Sequence, residues 1–183
     1  MTTVSPPQTE INSVLALYFN GQTQEALGAV ETLTNSYPND PVLLNISGAC
    51  YAGLGQLDRA VKYYEKALTI KPDYAKAHNN LGVTLQELGQ LDAAVKSYEK
   101  ALVIELNSLS QDNQTGHAEP FNNLGIVLKE LGQLDTSINS YEKVLAIKPD
   151  FAEAHFNLGV TLQALGQFDG AVKSFKKAIA IKP

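Results

Sequence analysis

Between residues 75 and 88, His78, Leu81, Gly82, Leu85 and Leu88 fall at the i, i+3, i+4, i+7 spacing of one helix face. The pattern breaks at Gly89-Gln90-Leu91-Asp92, a turn followed by an acidic residue suited to a helix start. A second helical face then carries Ala94, Tyr98, Ala101 and Leu102. Almost the same text returns later: AKAHNNLGVTLQELGQLDAAVKSYEKALVI occupies 75–104 and AEAHFNLGVTLQALGQFDGAVKSFKKAIAI occupies 152–181. Such agreement makes the helix–turn–helix segment a repeat, and the whole chain has to be read as an array.

Glycine sets the period. Gly48, Gly82, Gly125 and Gly159 form one series; Gly21, Gly55, Gly89, Gly132 and Gly166 form a second. Within each the spacing is 34 residues, except for one step of 43 that crosses the third repeat. Prolines 38, 72, 149 and 183 mark the ends, because proline cannot continue a helix. Five repeats result, at 7–40, 41–74, 75–117, 118–151 and 152–183, preceded by a disordered tail at 1–6. The third repeat holds an insertion near 105–117. Leu102, Leu106 and Leu109 keep a helical spacing, so its second helix should run on to about Leu109, with a polar break at 111–116. Asp40-Pro41 reads as a helix cap followed by proline at the first helical position, and Asp73 and Asp150 are expected to cap in the same way. Small residues such as Gly82 and Ala94 are expected where two helices approach closely.

Four marks recur: Asn-Leu-Gly at 80–82, 123–125 and 157–159; Tyr or Phe at 64, 98, 141 and 175; Ala at 60, 94 and 171; and the terminal prolines. The pattern resembles the tetratricopeptide repeat from Pro7 to Pro183. That resemblance implies an all-α fold, a right-handed α-solenoid of five tandem helix-turn-helix units. The first repeat deviates, with Ser13-Val14 in place of Leu-Gly and Val30 in place of the aromatic, as a terminal repeat is expected to do.

Composition narrows the function. The formal net charge of −5 disfavours nucleic acid and anionic membrane surfaces. No apolar run approaches a membrane span, the N-terminus does not read as a signal peptide, and the single cysteine suits a reducing compartment. A soluble, cytoplasmic chain is expected. The array stops at Pro183 without a polar closing helix, which suggests a fragment of a longer protein or an open end that self-associates.

No residues point to catalysis, a cofactor or a metal. His78 and His155 occupy one place in two repeats and read as packing residues, while His117 and Glu119 beside the insertion are too few for a zinc site. Cys50 stands where other repeats have Thr84, Val127 and Thr161, and so reads as a small core residue. The repeated Gly-Gln-(Leu/Phe)-Asp is a helix turn, not a phosphate cradle.

What remains is surface. On a wheel of 100° per residue, positions 4, 7, 8 and 11 of each first helix share the packed face, and positions 2, 5, 6, 9, 12 and 13 point away. In the resembling family that other face lines the groove in which partners bind. The second repeat contributes Asn45 to it, and the third contributes Lys76, Asn79, Asn80, Gln86 and Glu87. From the fourth come Asn122, Asn123, Lys129 and Glu130, and from the fifth Phe156, Asn157 and Gln163. The expected occupant is a protein or an extended peptide. Asn80, Asn123 and Asn157 form a column similar to the asparagine ladder of O-linked N-acetylglucosamine transferase repeats, which contacts peptide main chain. A second reading makes the same asparagines braces between neighbouring repeats, since polar groups between stacked helices must be satisfied. Beside the binding scaffold stand two alternatives: the substrate-recruiting arm of a glycosyltransferase or sulfotransferase, and a self-assembling scaffold. Mixed charges on the second helices, such as Lys96, Glu99 and Lys100, read as a solvated face.

Overall fold

A computed structural model describes residues 5–108 and 118–183, apart from the side chains of Leu106 and Ser108. The described residues form α1 (Gln8–Phe19), α2 (Thr23–Ser36), α3 (Pro41–Gly53), α4 (Leu57–Ile70), α5 (Ala75–Glu87), α6 (Leu91–Ser108), α7 (Ala118–Glu130), α8 (Leu134–Ile147), α9 (Ala152–Ala164) and α10 (Phe168–Ile181). The fold is all-α. It divides into two compact bodies, Met1–Gly89 and Gln90–Pro183.

In the first body α3 packs against α2 and α4, and α5 against α4. Leu44, Ala67 and Ala77, one from each of α3, α4 and α5, meet in a buried cluster flanked by Tyr63, Leu68 and Tyr74. In the second body α7 packs with α6 and α8, and α9 with α8 and α10.

The two glycine series do different work. Gly21, Gly55, Gly89, Gly132 and Gly166 all have φ between 72° and 79°, a left-handed conformation that a side chain disfavours, and each ends a first helix. The other series answers a steric demand. A Cβ on Gly48 would lie 2.6 Å from Cε1 of Tyr64, and one on Gly125 would lie 2.6 Å from Cε1 of Tyr141. Gly159 stands in the same relation to Phe175. The expected close approach is therefore made by the aromatic ring of the second helix, which lies on bare backbone of the first. Ser137 takes the place that alanine has in other repeats, and its hydroxyl donates to the Gly125 carbonyl at 2.7 Å. In the first pair Val14 and Val30 replace the glycine and the ring, and both are fully buried.

The caps correct one expectation. Asp40 caps α3, its Oδ1 accepting from the Val42 and Leu43 amides at 2.9 and 3.0 Å. Asp73 and Asp150 cap nothing: α5 and α9 begin one residue later than they would require, with Tyr74 and Phe151 at the N-cap and no side-chain bond there. Tyr74 and Phe151 are the repeat equivalents of Asp40; the Tyr74 ring packs against the Leu44–Ala67–Ala77 cluster, and the Phe151 ring centroid lies 5.0 Å from Lys148 Nζ. On the other side of each turn, Asp58, Asp92, Asp135 and Asp169 lie in the first turn of the second helices, where a negative charge favours the helix dipole.

The long second helix of the third repeat continues to Ser108, 18 residues against the 14 of α4, α8 and α10. Leu109 and the expected break at 111–116 lie outside the described residues, as do residues 1–4 of the expected tail. Pro6, at the end of that tail, is buried.

Placing Gly125→Ala against the fully buried Tyr141 should cost about 1–3 kcal/mol, as overpacking does. With Tyr141→Val added, as in the first pair, the double variant should lose less than the two single losses combined. Urea unfolding of the four proteins measures the coupling, and strict additivity would show that the ring does not rest on the glycine.

Candidate functional site

In the first body the first helices of successive repeats are α1, α3 and α5, and α3 contacts both of the others. Asn80 Nδ2 donates to Asn45 Oδ1 at 3.1 Å, joining positions 35 residues apart. The second body repeats the bond, Asn157 Nδ2 to Asn122 Oδ1 at 3.2 Å, again 35 residues apart. Asn122 also donates to Glu153 Oε1 at 3.0 Å. The two Asn–Asn bonds each connect position 5 of one first helix to position 6 of the next, so the carboxamides span the seam between repeats.

Burial corrects part of the helical wheel. Asn45 and Asn122 were expected to point away from the packed face, yet they are 4% and 2% exposed. Position 5 lies at the seam of successive first helices and is covered by its neighbour. Asn79, Asn80, Asn123 and Asn157 are half-buried, as are Gln86 and Lys129. Lys76, Glu87, Glu130, Phe156 and Gln163 are exposed. Phe156 is tilted against Phe175 with ring centroids 5.8 Å apart.

Beside Asn45 and Asn80 the first body opens into a cavity that Leu15, Tyr18 and Phe19 of α1 also line. The sequence reading missed these three. They sit at positions 9, 12 and 13 of the first repeat, so the same wheel finds them once its irregular helix is included. Phe19, 76% exposed, is the sharpest signal.

His78 and His155 have backbone partners. Nε2 of His78 lies 3.0 Å from the Pro72 carbonyl, and Nε2 of His155 lies 2.9 Å from that of Pro149. Such a nitrogen must carry the proton and donate, which ties each helix to the turn before it. Cys50 is fully buried, and burial pushes its thiol up to about 11, away from the reactive thiolate. Among the described residues, no group of three or more His, Cys, Asp or Glu could hold a metal ion, and no helix is long and apolar enough to cross a membrane.

A family profile described as "TPR repeat" matches residues 48–89 and 125–166, and one described as "Tetratricopeptide repeat" matches 75–107 and 152–183. A peroxisomal targeting signal receptor of Kluyveromyces lactis is 27% identical over 78 residues, 43% of this chain but only 14% of the receptor. The receptor of Saccharomyces cerevisiae is likewise 27% identical over 78 residues, 13% of its length. Among solved structures, a crystal structure of MamA aligns with TM-score 0.78 at 26% identity, covering 91% of this chain and 92% of that one. MamA from Desulfovibrio magneticus RS-1 aligns with TM-score 0.79 at 22% identity, covering 96% and 94%.

Replacing Asn80 with alanine removes the donor to a buried oxygen and should cost about 1–3 kcal/mol. Gln163→Ala, on an exposed side chain, should stay within about 0.5 kcal/mol. Chemical unfolding compares them, and equal small losses would mean that the carboxamide bond does not hold the seam.

Proposed function

The chain belongs to the tetratricopeptide repeat family, and on that premise we propose that it is a non-catalytic scaffold whose first-helix faces bind a protein or an extended peptide. The observation that carries this reading is the orientation of side chains on those helices. Their packed faces are spent on helix pairing, while Asn80, Lys76, Phe156 and Gln163 are left half-buried or exposed. The peroxisomal targeting signal receptors that the chain resembles over a short span support a protein or peptide as the occupant. Histidines bound to proline carbonyls and a neutral, buried thiol support a role without chemistry.

The asparagines have two roles on this reading. Asn80 and Asn157 brace the seam, and a carboxamide has more donor and acceptor capacity than the single bond each donates there. A photo-crosslinking amino acid introduced at Val83 or Val160, on the groove side, should capture partner protein in cells. The same group at Lys62 or Lys177, on the outer helices, should not. Crosslinks confined to the outer positions would sink the groove.

A second reading, self-association, rests on α10. Phe168, Val172 and Ile179 are 66%, 50% and 65% exposed, whereas their repeat equivalents in α8, Leu134, Ile138 and Leu145, are half-buried. That face resembles a repeat interface, and a first helix of a second copy would cover it. Sedimentation should then show mass growing with concentration, and the growth should vanish in Phe168→Ser/Ile179→Ser. A single species of monomer mass at every concentration would remove this reading.

A further inference from the structure

On the groove side of the first body lies a cavity of about 190 Å³. Leu15 and Phe19 of α1 and Val42, Ile46 and Ala49 of α3 give it apolar walls. Asn45, Lys76 and Asn80 line it as well, bringing polar groups from α3 and α5. A cavity of about 150 Å³ with apolar walls already accommodates benzene, so this one has room for one aromatic or long aliphatic side chain. Phe19 stands 76% exposed at its rim, a large apolar surface turned to water beside an apolar hollow.

Charge selects what accompanies that side chain. The residues lining the cavity include one cation, Lys76, and no carboxylate. Exposed carboxylates stand elsewhere on the first helices, Glu10 and Glu87 in the first body and Glu119, Glu130 and Glu153 in the second, but none of them lines this cavity. An acidic group is therefore favoured beside the cavity, where Lys76 is the one charged residue of the lining. Asn80 adds a main-chain partner. Its Nδ2 gives one N–H to Asn45, and a carboxamide has a second N–H and an oxygen to offer a peptide unit.

We propose that this cavity is a specificity pocket, receiving one aromatic or long aliphatic side chain of an extended peptide whose adjacent residue places a carboxylate at Lys76. The inference rests on the groove reading above and adds which side chains the partner carries.

Random peptides displayed on phage and selected on the immobilised full chain supply the probe. A selected peptide, synthesised with a fluorophore, is then titrated by anisotropy. The selected peptides should share an apolar residue next to an acidic one. Changing the apolar residue to alanine, or the acid to its amide, should weaken binding about tenfold or more. Ala49→Leu, which fills the cavity, and Lys76→Glu, which reverses the charge, should do the same from the protein side. Thermal melts confirm that the variants fold, and Phe19→Ser, at an exposed position, stands in for Ala49→Leu should that variant fail. Selected peptides without the apolar–acidic pair would overturn the pocket and leave the groove reading intact. So would binding unaffected by the pocket substitutions but lost in Phe156→Ala. If no peptide is selected above background, or if peptides bind variants of both groove faces as well as the parent, the pocket and the groove reading fall together.

Discussion

The pairs α3/α4, α7/α8 and α9/α10 are each organised around a side chain that is missing. An aromatic ring from the second helix rests where the first helix has a glycine, and a single added carbon would intrude to 2.6 Å at Gly48, Gly125 or Gly159. Interiors are packed to crystal-like density, so this contact sets how closely the two axes lie. Helix spacing then decides which residues of the first helix are spent inside the pair and which are left for the seam and the groove. Ser137 shows the same economy of space, since a hydroxyl fits the alanine position when it can donate to the carbonyl that glycine leaves uncovered.

The seam is polar where the pair interior is apolar. Asn80 donates to the buried Asn45 and Asn157 to the buried Asn122, and buried carboxamides without such partners would cost more than they contribute. A polar seam demands register, because a bond between positions 5 and 6 cannot slide as two greasy faces can. The side chains that would meet a partner are thereby fixed by the same bonds that align the repeats.

Much of this was legible from the sequence because repetition supplies its own controls. The period of 34, the glycine turns and the helix pairs followed from comparing the chain with itself. The helix that lengthens before the insertion followed from the spacing of its leucines. Other features were hidden for physical reasons. Asp73 and Asp150 looked like caps, but a cap depends on the helix start to within one residue, and α5 and α9 start at Ala75 and Ala152 with Tyr74 and Phe151 at the N-cap. A wheel treats one helix in isolation, so it could not see that a neighbour covers Asn45 and Asn122. The hollow beside Phe19 is assembled from three helices, of which the first departs from the repeat pattern, and no single segment announces it.

The valines of the first pair have a bearing on how such arrays grow. Val14 brings bulk to the helix where other pairs have none, and Val30 withdraws it from the facing helix. The two are a lock and key cut together. A genetic exchange that joined α1 to a tyrosine-bearing second helix would set valine against ring, and the converse exchange would leave a void between glycine and valine. The hairpin, rather than the single helix, is therefore the unit that can change place without a clash or a void inside the pair. That unit is set by a matched pair of volumes, and its boundaries fall between hairpins rather than at the glycine turns within them.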